Sequence, residues 1–262
     1  MITAEPDNAE LLERIDVGPT LTIFRVAPVE GPVPAFEPGQ FTNLGVGHAP
    51  APGKRPLLRR ALSIASSPNE REHLEFYIRL VEDGELTPRL FELRPGASLW
   101  LDSRVYGRFT LEDVPPGSNL LMVATGTGLA PFVSMLRTYR GTDRWRRCVL
   151  LESSRCAAEL GYRAELVRLE SEDPTFTYCP TLTREPEPPR SDWRGLRGRV
   201  QAWLEPEAFR QISDEPLDSA TWQVLLCGNP DMIVSVTEQL AQRGFRPHHT
   251  RTPGQIRSER YW

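Results

Sequence analysis

The first 111 residues contain short stretches in which apolar and polar positions alternate, separated by proline and glycine. These stretches lie at 21–26, 40–46, 59–65, 73–81, 98–101 and 108–111. In the fourth stretch, apolar residues occupy every second position from Leu74 to Leu80, and Glu75, Tyr77 and Arg79 lie between them. Short strands of this kind with turn residues between them predict a small antiparallel Greek-key β-barrel.

One helix is expected within this half of the chain. Thr87 suits the N-cap position and Pro88 the first helical position, because a threonine hydroxyl can accept a free backbone N–H and proline lacks one. Leu90, Phe91 and Leu93 follow, and Pro95-Gly96 is a stop signal.

The second half of the chain alternates strands and helices. Near-continuous apolar stretches at 120–124, 148–151, 176–183 and 222–227 predict buried strands, and the patterns at 129–139, 157–169 and 230–243 predict helices. This alternation predicts a doubly wound parallel sheet of the α/β class. A proline-rich loop is expected at 185–192. The change of composition at Pro115-Pro116-Gly117 divides the chain into predicted domains 1–113 and 114–262.

The composition is that of an ordinary globular protein, since 25% of the 262 residues are charged and the net charge is −4. No apolar stretch is long enough to span a bilayer and the first residues do not form a signal peptide, so we expect a cytoplasmic protein without a membrane contact. The slightly acidic total disfavours nucleic acid as a partner. We expect a monomer, because no long apolar helix face stands out.

The sequence shows no group of titratable residues that could catalyse a reaction without a cofactor. The spacing of Cys148, Cys156, Cys179 and Cys227 fits no zinc or iron–sulfur pattern, so no metal is expected. No nucleophile–base pair and no pair of carboxylates at helical spacing is present. The chemistry is therefore expected to belong to a cofactor that the protein positions.

The segments that follow the predicted parallel strands carry glycines, hydroxyls and arginines. Ligands of open α/β sheets bind beyond the carboxyl ends of the strands. Gly126 and Gly128 suit a pyrophosphate at a helix start, or simply a tight turn. All but one of the 31 basic residues are arginines. Arg155, Arg184 and Arg199 would together suit the 2′-phosphate of NADP, although any one of them alone is better explained as a surface residue of an arginine-rich chain.

Three further features leave alternatives open. Arg60 and Ser63 are three positions apart on a predicted strand, so they reach one ligand only if the strand bends. Cys227 is either a buried structural cysteine or faces the crevice beyond the sheet. The chain ends in Tyr261-Trp262, which either dock on a core patch or stack on a flat cofactor.

The ordered set of these motifs resembles the bacterial ferredoxin (flavodoxin)–NADP reductases, within a wider family of FAD- and NAD(P)-binding reductases. The likeness covers nearly the whole chain. It runs through Pro-Gly-Gln-Phe-Thr at 38–42, Arg-Ala-Leu-Ser at 60–63, Leu-Glu-Phe-Tyr at 74–77, the stretch 84–90, the turn 126–132, Cys-Gly-Asn-Pro-Asp-Met at 227–232 and Glu-Arg-Tyr-Trp at 259–262. The resemblance implies an FAD-binding barrel followed by an NADP-binding α/β domain whose C-terminal tail closes on the flavin.

The resemblance also implies roles for individual residues. Ser63, Cys227 and Glu259 would shape the reaction site, with Ser63 near flavin N5 and Cys227 beside the nicotinamide. The implied FAD-binding residues are Arg60 at the pyrophosphate together with Ala61, Leu62, Ser63, Tyr77, Ile78, Arg79, Leu80, Glu85, Leu86, Thr87, Thr127, Tyr261 and Trp262. The implied NADP-binding residues are Gly126, Gly128, Ser154, Arg155, Thr183, Arg184, Arg199, Cys227, Gly228, Asn229 and Asp231.

One position departs from the family pattern, which is Arg-x-Tyr-Ser. Leu62 stands where the family has tyrosine, and a leucine covers a flavin face without stacking or offering a hydroxyl. The resemblance therefore leaves the flavin affinity and the reduction potential undetermined, but not the reaction class.

The implied activity is hydride transfer from NADPH to FAD in the crevice between the domains, then single-electron transfer to or from ferredoxin or flavodoxin. Because such carriers are usually acidic, a basic docking rim is expected at Arg55, Arg59, Arg60, Arg104 and Arg108. Two alternatives remain: an NADH-linked reductase of an oxygenase, and a flavin-binding electron-transfer or sensor subunit that does not turn over NADPH.

Overall fold

The computed structural model describes residues 7–47, 57–185 and 193–260, and these form two compact units. One unit comprises the described chain up to Thr110 together with Ala130–Thr138. The other comprises Leu111–Leu129 and the described chain from Tyr139 onward. Within these ranges, no helix is long and apolar enough to cross a membrane.

The first unit is built on an antiparallel sheet of six strands, in the order β4-β3-β6-β1-β2-β5. The outermost strands also meet, since Ile64 bridges to Phe76 and Ala65 N–H donates to the Glu75 carbonyl at 2.7 Å, so the sheet closes into a barrel. Its core includes Phe24, Leu44 and Leu90. The strands are β1 (Ala9–Gly18), β2 (Leu21–Pro28), β3 (Phe41–Gly47), β4 (Leu57–Ser63), β5 (Leu74–Arg79) and β6 (Ser98–Leu101).

Two predictions about these strands were wrong. The stretch 108–111 is not a strand; Phe109 and Leu111 are buried there from an irregular segment, so their apolar pattern reflects packing alone. The longest strand of the barrel, β1, was not predicted, because it carries many charged residues and exposes Leu12 and Ile15. In addition, β5 is covered on both faces, so that Glu75 and Tyr77 are as buried as their apolar neighbours.

The short helix α1 (Thr87–Glu92) has a different start from the predicted one. Leu86 occupies the N-cap position, and no side chain caps the helix. The Thr87 hydroxyl instead accepts the N–H of Val81 at 2.9 Å and lies 3.2 Å from its carbonyl oxygen. The helix ends at Leu93, before the predicted Pro95-Gly96 stop. Thr87 therefore fixes the preceding loop rather than the helix terminus.

The helix α2 (Ala130–Tyr139) belongs to the barrel unit up to Thr138. Three of its side chains bond to the segment that follows β4. The Ser134 hydroxyl donates to the Ser66 carbonyl at 2.6 Å, and the Thr138 and Ser67 hydroxyls lie 2.9 Å apart. Arg137 donates to the Ala65 carbonyl at 3.2 Å and to the buried Glu75 carboxylate at 2.8 Å. Polar contacts thus fasten α2 to the barrel.

The second unit is a six-stranded sheet in the order β10-β9-β8-β7-β11-β12, in which every pair is parallel. The strands are β7 (Ser118–Thr125), β8 (Trp145–Ser154), β9 (Phe176–Leu182), β10 (Leu196–Arg197), β11 (Trp222–Gly228) and β12 (Ile256–Arg260). The helices are α3 (Arg163–Glu172), α4 (Pro206–Ile212) and α5 (Pro230–Ala241). One face of the sheet packs against a large apolar core that includes Phe209, Trp222 and Val236.

The predicted helix 157–169 is split in two. A 3₁₀ turn at Ala157–Glu159 is separated from α3 by Gly161 and by Tyr162, whose φ of 58° is left-handed and interrupts a helix. The short strand β10, the helix α4 and the strand β12 were not predicted. Of the predicted loop 185–192, Glu185 has no regular structure and residues 186–192 lie outside the described part of the chain.

Candidate functional site

The parallel sheet has a topological switch point at the carboxyl end of β7. From β7 the chain adds β8, β9 and β10 on one side, and it then returns to place β11 and β12 on the other. Ligands of doubly wound sheets bind in the crevice that such a reversal opens beyond the strand ends. The 3₁₀ turn Gly126–Leu129 follows β7 directly at this point. The predicted glycine turn therefore stands where the topology favours a ligand.

The turns after β7 and β11 pack closely against each other. A Cβ on Gly128 would lie 2.3 Å from the Cys227 carbonyl oxygen, and one on Gly228 would lie 2.2 Å from Thr125 Oγ1. The Thr125 hydroxyl also accepts the N–H of Asn229 at 2.8 Å. These two glycines therefore have a packing role of their own. Thr125 links the two turns. In the sequence, only its position at the end of a predicted strand indicates this role.

The turn after β11 continues into the N-terminus of α5. The side chain of Asn229 caps this helix by accepting the N–H groups of Asp231 at 2.7 Å and Met232 at 3.3 Å. Its carbonyl oxygen is therefore engaged by the helix, whereas the exposed Asp231 side chain points away from the core. Of the implied NADP-binding residues in this turn, Asn229 has a structural task in addition to any ligand contact.

Cys227 and Glu259 are neighbours across the β11–β12 pair, where they are register partners. Side chains of register partners lie on the same face of a sheet. Cys227 is fully buried and Glu259 is half-buried. The structure thus brings together two of the three implied reaction-site residues. The remaining part of the tail, Tyr261 and Trp262, lies outside the described residues.

The three predicted arginines lie beyond the carboxyl ends of three neighbouring strands, and this end of the sheet is called the arginine edge below. Arg155 follows β8, Arg184 follows β9 and Arg199 follows β10, each within two residues of its strand. Backbone bonds hold the segments together: Arg184 N–H donates to the Arg155 carbonyl at 2.8 Å, and Gly198 N–H donates to the Leu182 carbonyl at 2.9 Å. All three arginines are exposed, and none forms an ion pair within the described ranges.

The two hydroxyl residues at this edge serve the backbone. The Ser154 hydroxyl is buried and donates to the Glu159 carbonyl at 3.4 Å. The Thr183 N–H and hydroxyl both donate to the Ser154 carbonyl, at 3.0 and 3.2 Å. These bonds extend the β8–β9 pairing by one residue beyond the assigned strands. Ser154 and Thr183 thus shape the edge on which the arginines stand.

A buried acid near the end of β8 was not predicted. Glu152 is 1% exposed, and the Tyr178 hydroxyl bonds to its Oε2 atom. No hydrogen-bond partner of Oε1 is found among the described residues. Burial raises the pKa of Glu152 to about 8, against the lowering effect of the Tyr178 bond. No local pattern indicates this burial, because a glutamate after four apolar residues is typical of the end of a strand.

In the barrel unit, two of the candidate ligand-binding residues of β4, Arg60 and Ala61, are exposed. The side chains of Arg60 and Glu85 are both 58% exposed, and their charged groups lie 3.8 Å apart. Ala61 is exposed and Leu62 half-buried. The structure therefore brings Arg60 and Glu85 together, as expected if they line one surface, and leaves the Arg60 guanidinium accessible to an anion.

Ser63 lies on the other side of this strand. It is buried, whereas Arg60 is exposed, and the β3–β4 register runs without a shift from Leu57 to Ser63. The bend that would bring both side chains to one face is therefore not present within β4. Any common ligand would have to contact Ser63 at the end of the strand, where Ile64 leaves the β3–β4 pairing.

The remaining implied FAD-binding residues differ in accessibility. Ile78 and Leu86 are core residues, so their side chains pack inside the barrel and only their backbone groups can contact a ligand. Tyr77 is also buried, whereas Arg79, Leu80 and Thr87 are partly exposed. Thr127 is partly exposed in the turn after β7 of the other unit.

The predicted basic rim consists of exposed arginines on the barrel unit. The Arg59 guanidinium lies 5.4 Å from the centre of the Trp100 ring, and that of Arg104 lies 5.9 Å from the centre of the Tyr106 ring. Arg108 is also exposed. Arg55 lies outside the described residues. No group of three or more acidic, histidine or cysteine side chains that could hold a metal is found in the described part of the chain.

Two family models match the chain in the order of its units. A model described as an oxidoreductase FAD-binding domain matches residues 8–109, and one described as an oxidoreductase NAD-binding domain matches residues 122–238. Both matches agree with the positions of the two sheets. The chain thus carries the sequence features of both domains, one after the other.

Relatives of known name match most of the chain. It is 35% identical to the flavodoxin/ferredoxin–NADP reductase of Escherichia coli over 235 residues, which are 89% of this chain and 91% of that protein. It is 30% identical to the ferredoxin–NADP reductase of Pseudomonas aeruginosa over 233 residues, 86% of each chain.

A solved structure shares the fold. The ferredoxin–NADP⁺ reductase of Neisseria gonorrhoeae, determined with bound FAD and NADP, matches with a TM-score of 0.85 and 27% identity over 98% of this chain and 99% of that chain. This likeness and the two sheets confirm the predicted fold class, an antiparallel β-barrel followed by a doubly wound parallel sheet.

Proposed function

Because this chain belongs to the family of bacterial flavodoxin/ferredoxin–NADP reductases, we propose that it transfers electrons between NADPH and a ferredoxin or flavodoxin. The predicted family, the enzyme class and the cofactors FAD and NADP(H) are confirmed. The protein is an FAD-dependent oxidoreductase. The identity of its electron carrier and the roles of its individual residues are the substance of the proposal.

The observation that carries the choice of NADPH is the group of unpaired arginines at the sheet edge. Three exposed arginines follow the neighbouring strands β8, β9 and β10 and have no carboxylate partner among the described residues, so a dianionic phosphate would supply the missing negative charge. NADPH has such a phosphate on its adenosine ribose and NADH does not. Arg155, Arg184 and Arg199 thus fit a 2′-phosphate.

We assign the FAD to the barrel half, with 1–113 as the FAD-binding and 114–262 as the NADP-binding domain. The accessible guanidinium of Arg60 fits a pyrophosphate, and Ala61 and Leu62 offer a partly exposed surface beside it. Bound FAD would supply the exchange between a two-electron donor and a one-electron carrier. Tyr261 and Trp262 remain the proposed cover of the flavin.

Ser63, Cys227 and Glu259 are the proposed residues of the reaction site. Their task is to orient two flat rings and to exclude water, rather than to act as acid and base. Support comes from the register of Cys227 with Glu259 and from the position of both at the end of their strands. Cys227 would offer a small, weakly polar contact beside the ring, and Glu259 a carboxylate at its polar edge.

The carrier would dock on the basic rim. Exposed arginines at positions 59, 60, 104 and 108 are suited to an acidic protein, and association with it would slow as salt screens the charges. We propose that the protein acts as a monomer in the cytoplasm. Carrier reduction measured across a salt series tests the rim, and a rate that does not change with salt would contradict it.

The central experiment is an anaerobic titration of the purified holoprotein with NADPH. The absorbance of the bound flavin should bleach stoichiometrically, and a coupled cytochrome assay with ferredoxins and flavodoxins of the host then identifies the carrier. A yellow protein that NADPH does not bleach would instead be an electron-transfer or sensor subunit.

The same assay with NADH tests the other alternative. An oxygenase reductase that uses NADH would show the higher kcat/KM with NADH. We expect the opposite preference, because the arginines at the sheet edge have a ligand only in NADPH. A clear preference for NADH would refute the role given to these arginines.

A further inference from the structure

Glu185 follows Arg184 immediately and reaches across the arginine edge. Its Oε2 atom accepts the N–H of Ala157 at 3.0 Å. Ala157 begins the 3₁₀ turn that follows Arg155 and Cys156. The side chain of one arginine segment is therefore bonded to the backbone of the other.

This contact adds to the hydrogen bonds that join the segments beyond β8 and β9. The Thr183 N–H donates to the Ser154 carbonyl at 3.0 Å, and the Arg184 N–H donates to the Arg155 carbonyl at 2.8 Å. Beyond Arg155 the chain enters the 3₁₀ turn at Ala157–Glu159. The contact between the two segments is made there by the Glu185 carboxylate instead of a backbone carbonyl. The bond spans the two exposed segments that carry Arg155 and Arg184.

We propose that Glu185 is a positioning residue that holds Arg155 and Arg184 at the spacing needed to bind one phosphate. Two guanidinium groups close together repel each other, so their segments tend to separate when no anion is bound. A carboxylate that accepts a backbone N–H opposes this separation from one side. Glu185 thereby favours dinucleotides with a 2′-phosphate, without contacting the phosphate itself.

The inference rests on the proposed use of NADPH, so the test measures binding as well as turnover. The probes are 2′,5′-ADP, which has the second phosphate, and 5′-AMP, which lacks it. Calorimetry of the FAD-loaded protein with both probes gives their ratio of affinities. In E185A, the affinity for 2′,5′-ADP should fall about tenfold, and that for 5′-AMP should change less than twofold.

Steady-state kinetics should show the same difference between ligands with and without the 2′-phosphate. In E185A the KM for NADPH should rise about tenfold, while kcat and the KM for NADH stay within twofold of the wild type. E185Q should bind 2′,5′-ADP nearly as the wild type does, because its amide oxygen can accept the same N–H. If E185Q behaves like E185A, the acceptor role is wrong.

The matched control is E170A. Glu170 also accepts a backbone N–H, that of Tyr178 at 2.8 Å, in the same unit but away from the arginine edge. E170A should leave the ratio of the two affinities unchanged. A ratio that falls equally in both variants would show a general loss of order, and the proposal would be overturned.

A second variant removes the donor of the same hydrogen bond, the Ala157 N–H. A157P removes the N–H that Glu185 accepts, and proline suits the first position of a helical turn. A157P should weaken 2′,5′-ADP binding about as much as E185A, and the double variant no more than either alone. Additive losses would overturn the proposal.

The outcomes also separate this proposal from the one on which it rests. If the wild type binds both probes equally, the NADPH assignment fails and the role of Glu185 fails with it. If the wild type prefers 2′,5′-ADP and E185A prefers it to the same extent, only the role of Glu185 is refuted.

Discussion

Each unit buries one glutamate almost completely, and the two glutamates have opposite surroundings. In the barrel unit, the carboxylate of Glu75 lies between Arg25 at 2.9 Å and Arg137 at 2.8 Å. In the parallel-sheet unit, Glu152 accepts a hydrogen bond from Tyr178, but no cation forms an ion pair with it among the described residues. Both residues are 1% exposed.

The difference in partners gives the two acids different charges. The hydrogen bond that Arg25 donates to the Glu75 carboxylate raises the pKa of Arg25, as expected for an ion pair. Glu152 keeps its proton at neutral pH, because burial without a cation disfavours the carboxylate. In the barrel unit, Arg25 and Arg137 thus pair with a buried acid, whereas Arg155, Arg184 and Arg199 form no ion pair within the described residues. In an arginine-rich chain, the function of a given arginine is indicated by its ion-pair partners. The total number of arginines does not indicate it.

Among the changes that test this comparison, replacement of Glu75 should have the largest effect, a loss of stability. E75A removes the carboxylate that pairs with Arg137, which is 15% exposed, so the free energy of unfolding should fall by about 3 kcal/mol. Urea denaturation followed by circular dichroism measures this loss. The control E13A removes the other, half-exposed partner of Arg25 and should cost less than about 1 kcal/mol. Equal losses in both variants would mean that Glu75 is not the anchor of the pair.

The pH dependence of stability tests the neutral state of Glu152. The native protein keeps this proton up to about pH 8, whereas the unfolded chain loses it near the ordinary value of 4.5. The native state therefore binds more protons within this window, and the free energy of unfolding falls by at most about 1.4 kcal/mol for each unit that the pH rises.

The variant E152Q removes this contribution, because an amide does not titrate in this range. The stability of E152Q relative to the wild type should therefore increase between pH 5 and pH 8 and stay constant above pH 8. Urea denaturation at several pH values measures the difference. A constant difference from pH 5 to pH 8 would show that Glu152 is ionised in the native protein, as Glu75 is.

The unpaired arginines should affect ligand binding and not stability. R184A is expected to raise the KM for NADPH about tenfold and to leave the KM for NADH within twofold, because a phosphate oxygen loses a charged donor. R199A should act in the same way. Steady-state kinetics with both dinucleotides provides the measurement, and an equal rise for both would place these arginines outside the phosphate site.

The smallest effect is expected from an arginine with a partner. Arg146 lies at the start of β8, and both of its terminal nitrogens donate to the Glu215 carboxylate. R146A should change neither dinucleotide KM by more than twofold, because this arginine stands at the opposite end of the strand from Arg155. A selective loss of NADPH binding in R146A would remove the distinction between paired and unpaired arginines.

Most strands of both sheets could be predicted, and those that were missed have physical reasons. Four strands of the parallel sheet are covered on both faces and read as continuous apolar runs, whereas β10 has only two residues and β12 carries three charged ones. In the barrel, only β1 was missed, because it carries many charged residues. The alternation in β5 did not indicate that Glu75 and Tyr77 are as buried as the apolar residues beside them.

Tertiary partners account for the remaining failures. The burial of Glu75 depends on Arg25 and on Arg137 from a helix far along the chain, and that of Glu152 depends on Tyr178. The hydrogen bond that the Ala157 N–H donates to Glu185 likewise joins segments that are 28 residues apart. Local patterns do not contain such pairings. Arg155 and Arg184 could still be placed beyond strand ends, because each follows a strand that the apolar pattern reveals, whereas Arg199 follows the short strand β10, which that pattern does not reveal.

The attachment of α2 to the barrel has a consequence for recombining relatives of this enzyme. The chain supplies this helix after β7, yet Ser134, Arg137 and Thr138 bond to the segment between β4 and β5. A single crossover between β6 and β7 would therefore join a barrel from one parent to a helix from another. Chimaeras made in this way should fold best when both parents carry a matching acid and arginine at positions 75 and 137, and these two positions should change together during evolution.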